Sequence, residues 1–65
     1  MVNTNRLRGI IAECGLSQRK VAAELGITEK TFYTKMKSGI FDSAEMSAMI
    51  SLLNIENPAE IFFPN

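Results

Sequence analysis

Between Thr28 and Ser38 the chain reads TEKTFYTKMKS, which places Lys30, Tyr33, Thr34 and Lys37 three and four residues apart. On an α-helix that spacing gathers them on one side. They offer two ammonium groups, a phenol and a hydroxyl that carries a methyl. Such a set can donate to base edges or phosphate oxygens and can touch a thymine methyl. With Phe32 taken as the inward direction and about 100° per residue, Met36 falls about 40° away. Lys30, Thr34 and Lys37 fall within about 40° of the outward direction, with Tyr33 at their edge. Glu29 has two readings: its carboxylate can accept from cytosine N4, or it can simply favour the positive end of the helix dipole. The segment has no Arg, Asn or Gln for bidentate base pairing, so shape readout and half-site spacing gain weight.

Upstream, Gln18, Arg19 and Lys20 occupy the first turn of a preceding helix, whose N-terminus attracts phosphate; these residues would position the molecule on a backbone. Arg6 and Arg8 either add phosphate contacts or only solubilise their helix. Other chemistries find little support. The chain has no His and a single cysteine, Cys14, which rules out an internal disulfide and leaves no Cys/His metal cluster. There is no Gly-rich phosphate loop and no nucleophile–base pair, so the expectation is a non-enzyme with no cofactor, metal or small-molecule ligand.

The formal net charge is zero, yet the charges are unevenly placed. Residues 1–39 hold all seven bases (Arg6, Arg8, Arg19, Lys20, Lys30, Lys35, Lys37) against Glu13, Glu24 and Glu29, a net +4. Residues 40–65 hold only Asp42, Glu45, Glu56 and Glu60, a net −4. The split suggests one face for a polyanion and another turned away from it.

Five helices must position these groups. Leu7, Ile10, Ile11 and Cys14 form one stripe on the first, capped by Asn3 or Thr4 and ended by Gly15, and this stripe predicts a buried Cys14. Ser17 caps the second helix, whose inward face is Val21, Ala22 and Leu25; Gly26 closes it, and Ile27 plugs the bend from inside. Thr28 caps the third, anchored by Phe32 and Met36 and ended by Gly39. Asp42 and Glu45 form a capping box for the fourth, with Met46, Met49, Ile50 and Leu53 inward. Asn57, Pro58 and Glu60 predict a second box ahead of Ile61, Phe62 and Phe63. Those three residues either close the core over the first helix or meet a second copy. No alternating apolar run suggests a strand.

A 65-residue chain forms a single domain, since at this length only about 60% of the unfolded surface can be buried. No apolar run approaches the roughly 18 residues of a membrane span, and the N-terminus lacks the apolar core of a signal peptide. The expectation is a soluble protein of a reducing cytoplasm.

Gln18, Ala22, Gly26, Ile27, Thr28 and Phe32 together resemble the lambda-repressor-like, Cro/C1-type (XRE) helix-turn-helix family of small prokaryotic and phage regulators. The later stretch, IFDSAEMSAMISLLNIENPAEIFF, looks like the fourth and fifth helices of short phage or prophage members. The resemblance implies an all-α, compact five-helix domain over residues 1–65, with the helix-turn-helix at 17–38 and transcriptional control through double-stranded DNA. Carried over by position, Gln18 would bind phosphate, and Thr28, Glu29, Lys30, Tyr33, Thr34 and Lys37 would face the major groove. Gly39 and Met36 each sit one residue later than in the commonest members, which lengthens the third helix or its exit. The resemblance also implies a place in the prokaryotic cytoplasm or nucleoid and a homodimer on a two-fold site, with Ile61, Phe62 and Phe63 as the candidate contact. The competing reading is a protein-interaction module on the same fold, such as an antirepressor that pairs with another regulator.

Overall fold

Each amphipathic segment turns its apolar stripe inward. A computed structural model of the chain describes residues 1–64. Among them lie five α-helices and no strand: α1 (Thr4–Glu13), α2 (Gln18–Leu25), α3 (Glu29–Ser38), α4 (Ser43–Leu53) and α5 (Pro58–Phe62). The molecule measures 28 × 23 × 19 Å, the near-isotropic shape that short helices with tight connections produce. Helix α2 lies at the centre of the packing, against α1, α3 and α4, while α5 closes over α1. No helix of the described residues is long and apolar enough to cross a membrane.

Local chemistry explains most helix ends. Asn3, Ser17, Thr28 and Asp42 each accept the third-residue N–H of the helix they precede, satisfying a donor that has no partner inside the helix. At the other end, Gly26 adopts φ 75°, where a Cβ would be strained. There the Ile27 N–H bonds to the Ala22 carbonyl and the Gly26 N–H to that of Ala23, the paired bonds of a Schellman stop. The same pattern ends α1, with Leu16 bonding to Ile11 and Gly15 to Ala12, and α4, with Ile55 bonding to Ile50 and Asn54 to Ser51. Leu16, Ile27 and Ile55 then fold back against the core. A stop residue followed by an aliphatic one is thus used three times.

The core joins Leu7, Ile11, Val21, Ala22, Phe32, Met36, Met49, Leu53, Ile61 and Phe62 with two residues outside any helix, Val2 and Phe41. Phe32 is fully enclosed, its ring 5.8 Å from that of Phe41 and tilted by 56°, an edge-to-face-like arrangement that aromatic quadrupoles favour. Chain ends and helix ends are tied together by backbone bonds: the Val2 N–H donates to the Gly39 carbonyl and the Asn3 N–H to that of Ile61. Gly39, at φ 74°, lies so close to the N-terminal segment that a Cβ would stand 3.2 Å from Met1 Cε. Glu45 is buried and performs two tasks. Its Oε1 accepts the Asp42 N–H at 2.9 Å and pairs with Lys35 Nζ at 3.1 Å, bridging α3 and α4.

Several expectations need correction. Cys14 is exposed: it continues the stripe of α1, but the core ends one turn earlier, and its thiol sits at the rim, donating to the Leu53 carbonyl at 3.6 Å. The second capping box does not form. Asn57 makes no side-chain cap bond, because its backbone (φ −122°, ψ 71°) departs from the extended geometry of Asp42 (φ −81°, ψ 170°), and Glu60 stays exposed. Of the two caps expected for α1, Asn3 takes the role and Thr4 becomes the first residue of the helix. Leu25, Met46 and Ile50 are half-buried at the edge of the core.

Three substitutions test these contacts. Phe32→Ala should remove about 3–5 kcal/mol, comparable to the whole stability of a chain this small, and circular dichroism should show no cooperative thermal transition at ambient temperature. Glu45→Ala should cost about 1–2 kcal/mol through the lost cap and ion pair. Glu60→Ala should stay within about 0.5 kcal/mol when both variants are compared with the parent by urea titration.

Candidate functional site

Between Ser17 and Ser38, the starts of α2 and α3 and one face of α3 carry the residues expected from sequence to meet a duplex. The roll of α3 follows from its anchors: Phe32 and Met36 are buried, so Lys30, Thr34 and Lys37 emerge on the opposite side and all three are exposed. Tyr33 is half exposed and Glu29 lies half-buried at the border of the strip. Glu29, Lys30, Tyr33, Thr34 and Lys37 together line a single shallow, open groove along α3. These are five of the six α3-side residues expected from sequence to face a duplex.

Hydrogen bonds within the helix limit what each side chain can still offer. The sixth residue, Thr28, is occupied at the helix start: its Oγ1 accepts the Thr31 N–H at 3.1 Å and donates to Thr31 Oγ1 at 2.9 Å. Thr34 Oγ1 donates to the Lys30 carbonyl at 3.1 Å, which leaves outward lone pairs and a methyl but no free hydroxyl proton. Tyr33 Oη donates to Glu29 Oε2 at 3.0 Å. That bond, and the negative charge of the carboxylate beside it, raise the Tyr33 pKa above 10.0, because ionising the phenol would remove the donor and set two anions together.

Charge pairing sorts the cations. Lys35 is tied to Glu45, and Lys20 pairs with Glu24 at 3.3 Å on the surface. Among the described residues Lys30 and Lys37 form no ion pair, and both stand on the outward strip. Arg19 is exposed at the start of α2, while Arg8 donates to Asn5 within α1. Ser17 takes the Lys20 N–H at 3.0 Å, and helix geometry leaves the Gln18 and Arg19 N–H groups without helical partners. Gln18 is half-buried, with its Oε1 enclosed and lacking a hydrogen-bond partner.

At the far end of the chain, Ile61 and Phe62 are core residues, whereas Phe63 is 69% exposed. Phe63 joins Met1 and Ile40, also exposed, around a separate apolar groove. Of the aromatic tail, only Phe63 is therefore open to contact with another molecule.

Sequence reasoning passed over Lys35 and Glu45 as a pair. Their link joins residues ten apart in sequence on successive helices, and no local spacing rule signals it. Compared with protein-family models, with curated proteins and with solved structures, the chain matches none.

The tyrosine–carboxylate bond has a direct readout, because Tyr33 is the only tyrosine and the chain has no tryptophan. Ultraviolet titration of the phenol should give a midpoint above 10.0 in the native protein. Glu29→Ala should lower that midpoint, since the two largest causes of the shift are then removed.

Proposed function

We propose that the chain is a sequence-selective DNA-binding transcription regulator of the lambda-repressor-like, helix-turn-helix kind, a repressor or Cro-like switch protein. In this reading α3 enters the major groove, and Gln18, Arg19 and Lys20 at the start of α2 hold the phosphate backbone. The observation that carries it is the outward strip of α3. Lys30 and Lys37, outside any ion pair among the described residues, flank Thr34 directly opposite the enclosed Phe32. A helix that ties its other lysine to Glu45 and sets two cations on its free side is suited to a polyanion.

The roles follow from the chemistry left to each group. Lys30 and Lys37 donate to guanine O6 and N7 or to phosphate oxygens. Thr34, its proton engaged by the Lys30 carbonyl, presents an acceptor and a methyl, suited to an exocyclic amine or a thymine methyl. Thr28 orders the start of α3 and reaches the duplex only through its own edge. The free N–H groups at the start of α2, beside Arg19, suit a phosphate. On a two-fold site a second copy would meet the first through Phe63, since Ile61 and Phe62 are spent in the core.

Salt dependence tests the reading against a protein-interaction module. Duplex affinity should fall steeply between about 50 and 200 mM salt, as expected when several phosphates are neutralised. Lys37→Ala should reduce the slope of log K against log salt by about one. The double variant Lys30→Ala, Thr34→Ala should lose selection among duplexes from a random pool while its circular dichroism and thermal midpoint match the parent. Retained selectivity in that variant, or affinity that hardly responds to salt, contradicts the proposal.

A further inference from the structure

The one carboxylate bordering the outward strip is held by the one phenol. Glu29 opens α3, and Tyr33 one turn later donates to its Oε2 at 3.0 Å. A carboxylate placed only to complement the helix dipole needs no such partner, because the dipole acts without directional contact. The bond does two things. It takes up lone pairs on one oxygen, and it restricts the rotation of a side chain that would otherwise sample several rotamers. The second oxygen, Oε1, has no hydrogen-bond partner among the described residues and remains an acceptor of fixed position. Glu29 and Tyr33 line the same groove as Lys30, Thr34 and Lys37.

We propose that Glu29, positioned by Tyr33, is a specificity-determining residue that selects cytosine at one base pair of each half-site. This rests on the DNA-reading role of α3 proposed above. An ionised carboxylate only accepts hydrogen bonds. Guanine presents two acceptors in the major groove and thymine one acceptor and a methyl, so both repel it or leave it unpaired. Adenine offers its N6 amine beside the N7 acceptor, which faces the carboxylate with a like partial charge. Cytosine N4 donates with no acceptor of its own base beside it, and it gives the carboxylate its best partner. The neighbouring Lys30 can at the same time donate to O6 and N7 of the paired or adjacent guanine. The strip then reads a C·G step with one acceptor and one cation, which compensates for the lack of bidentate side chains. Tyr33 is a positioning residue here, acting through Glu29.

The experiment is a selection of duplexes from a random pool with the full chain and three variants, followed by affinities for the selected site and its single-base changes. The parent should enrich cytosine at one position of each half-site and lose about tenfold in affinity when that base pair is changed. Glu29→Ala should flatten the preference at that position alone. Glu29→Gln should move it to adenine, whose N6 and N7 match a carboxamide. Tyr33→Phe, which keeps the ring and removes the hydroxyl, should weaken the cytosine preference and leave the other positions as they were, an effect that loss of a merely structural contact would not confine to one base pair. An unchanged preference at every position in Glu29→Ala, with binding retained, overturns the assignment and leaves the DNA-reading role standing. Failure of the parent to retain any duplex at low salt overturns both.

Discussion

The enclosure of Phe32 is the constraint on which the surface depends. A helix is a cylinder, and which of its residues meet solvent is a question of roll about its axis. Phe32, its ring packed at a tilt near that of Phe41 and followed one turn later by the buried Met36, fixes that roll. Rotating α3 by one residue would bring the benzyl side chain toward water, at a cost of about 1.5–3 kcal/mol, and would turn Tyr33 or Thr31 into the core with polar groups to satisfy. The positions of Lys30, Thr34 and Lys37 are thus a consequence of hydrocarbon packing on the opposite side of the same helix.

Both ends of that helix are held as well. At its start, the left-handed Gly26 and the Schellman bonds of α2 set the direction of the turn, and Thr28 closes the first turn of α3. At its exit, Gly39 receives the Val2 N–H, and Lys35 reaches across to Glu45, whose carboxylate also completes the capping box of α4. A groove along a helix held at start, middle and exit is pre-ordered, so the entropy of arranging its side chains falls mainly on the long lysines. The same tethers explain how a chain of zero net charge can present a cationic strip. Glu24 and Glu45 each neutralise a lysine away from it, and Glu29 is bound to Tyr33 at its border.

Helix starts were legible wherever a cap is a matter of neighbours along the chain. Ser17, Thr28 and Asp42 act as their residue types suggest, and Glu45 completes its box three residues on. The Asn57–Glu60 pair has the same spacing and fails, because a capping box needs an extended cap residue and the link from α4 to α5 holds Asn57 in another conformation. The periodic stripes likewise located Leu7, Ile11, Val21, Ala22, Phe32, Met36, Met49 and Leu53 inside. They misplaced Cys14, since periodicity states a direction on a helix and carries no information on how far the neighbouring layer extends.

The order of helices, their starts and stops, and which residues of α3 share the side that carries lysines and threonine were therefore determined by the sequence alone, through spacings of three to five residues. Only the tertiary structure decided that Val2 and Phe41 complete the core, that Ile40 and Phe63 face outward while their neighbours Phe41 and Phe62 do not, and that Lys35 is spent on Glu45. Each of these outcomes depends on a partner distant along the chain, and contacts of that kind are selected by the packing of whole helices and leave no period in the sequence.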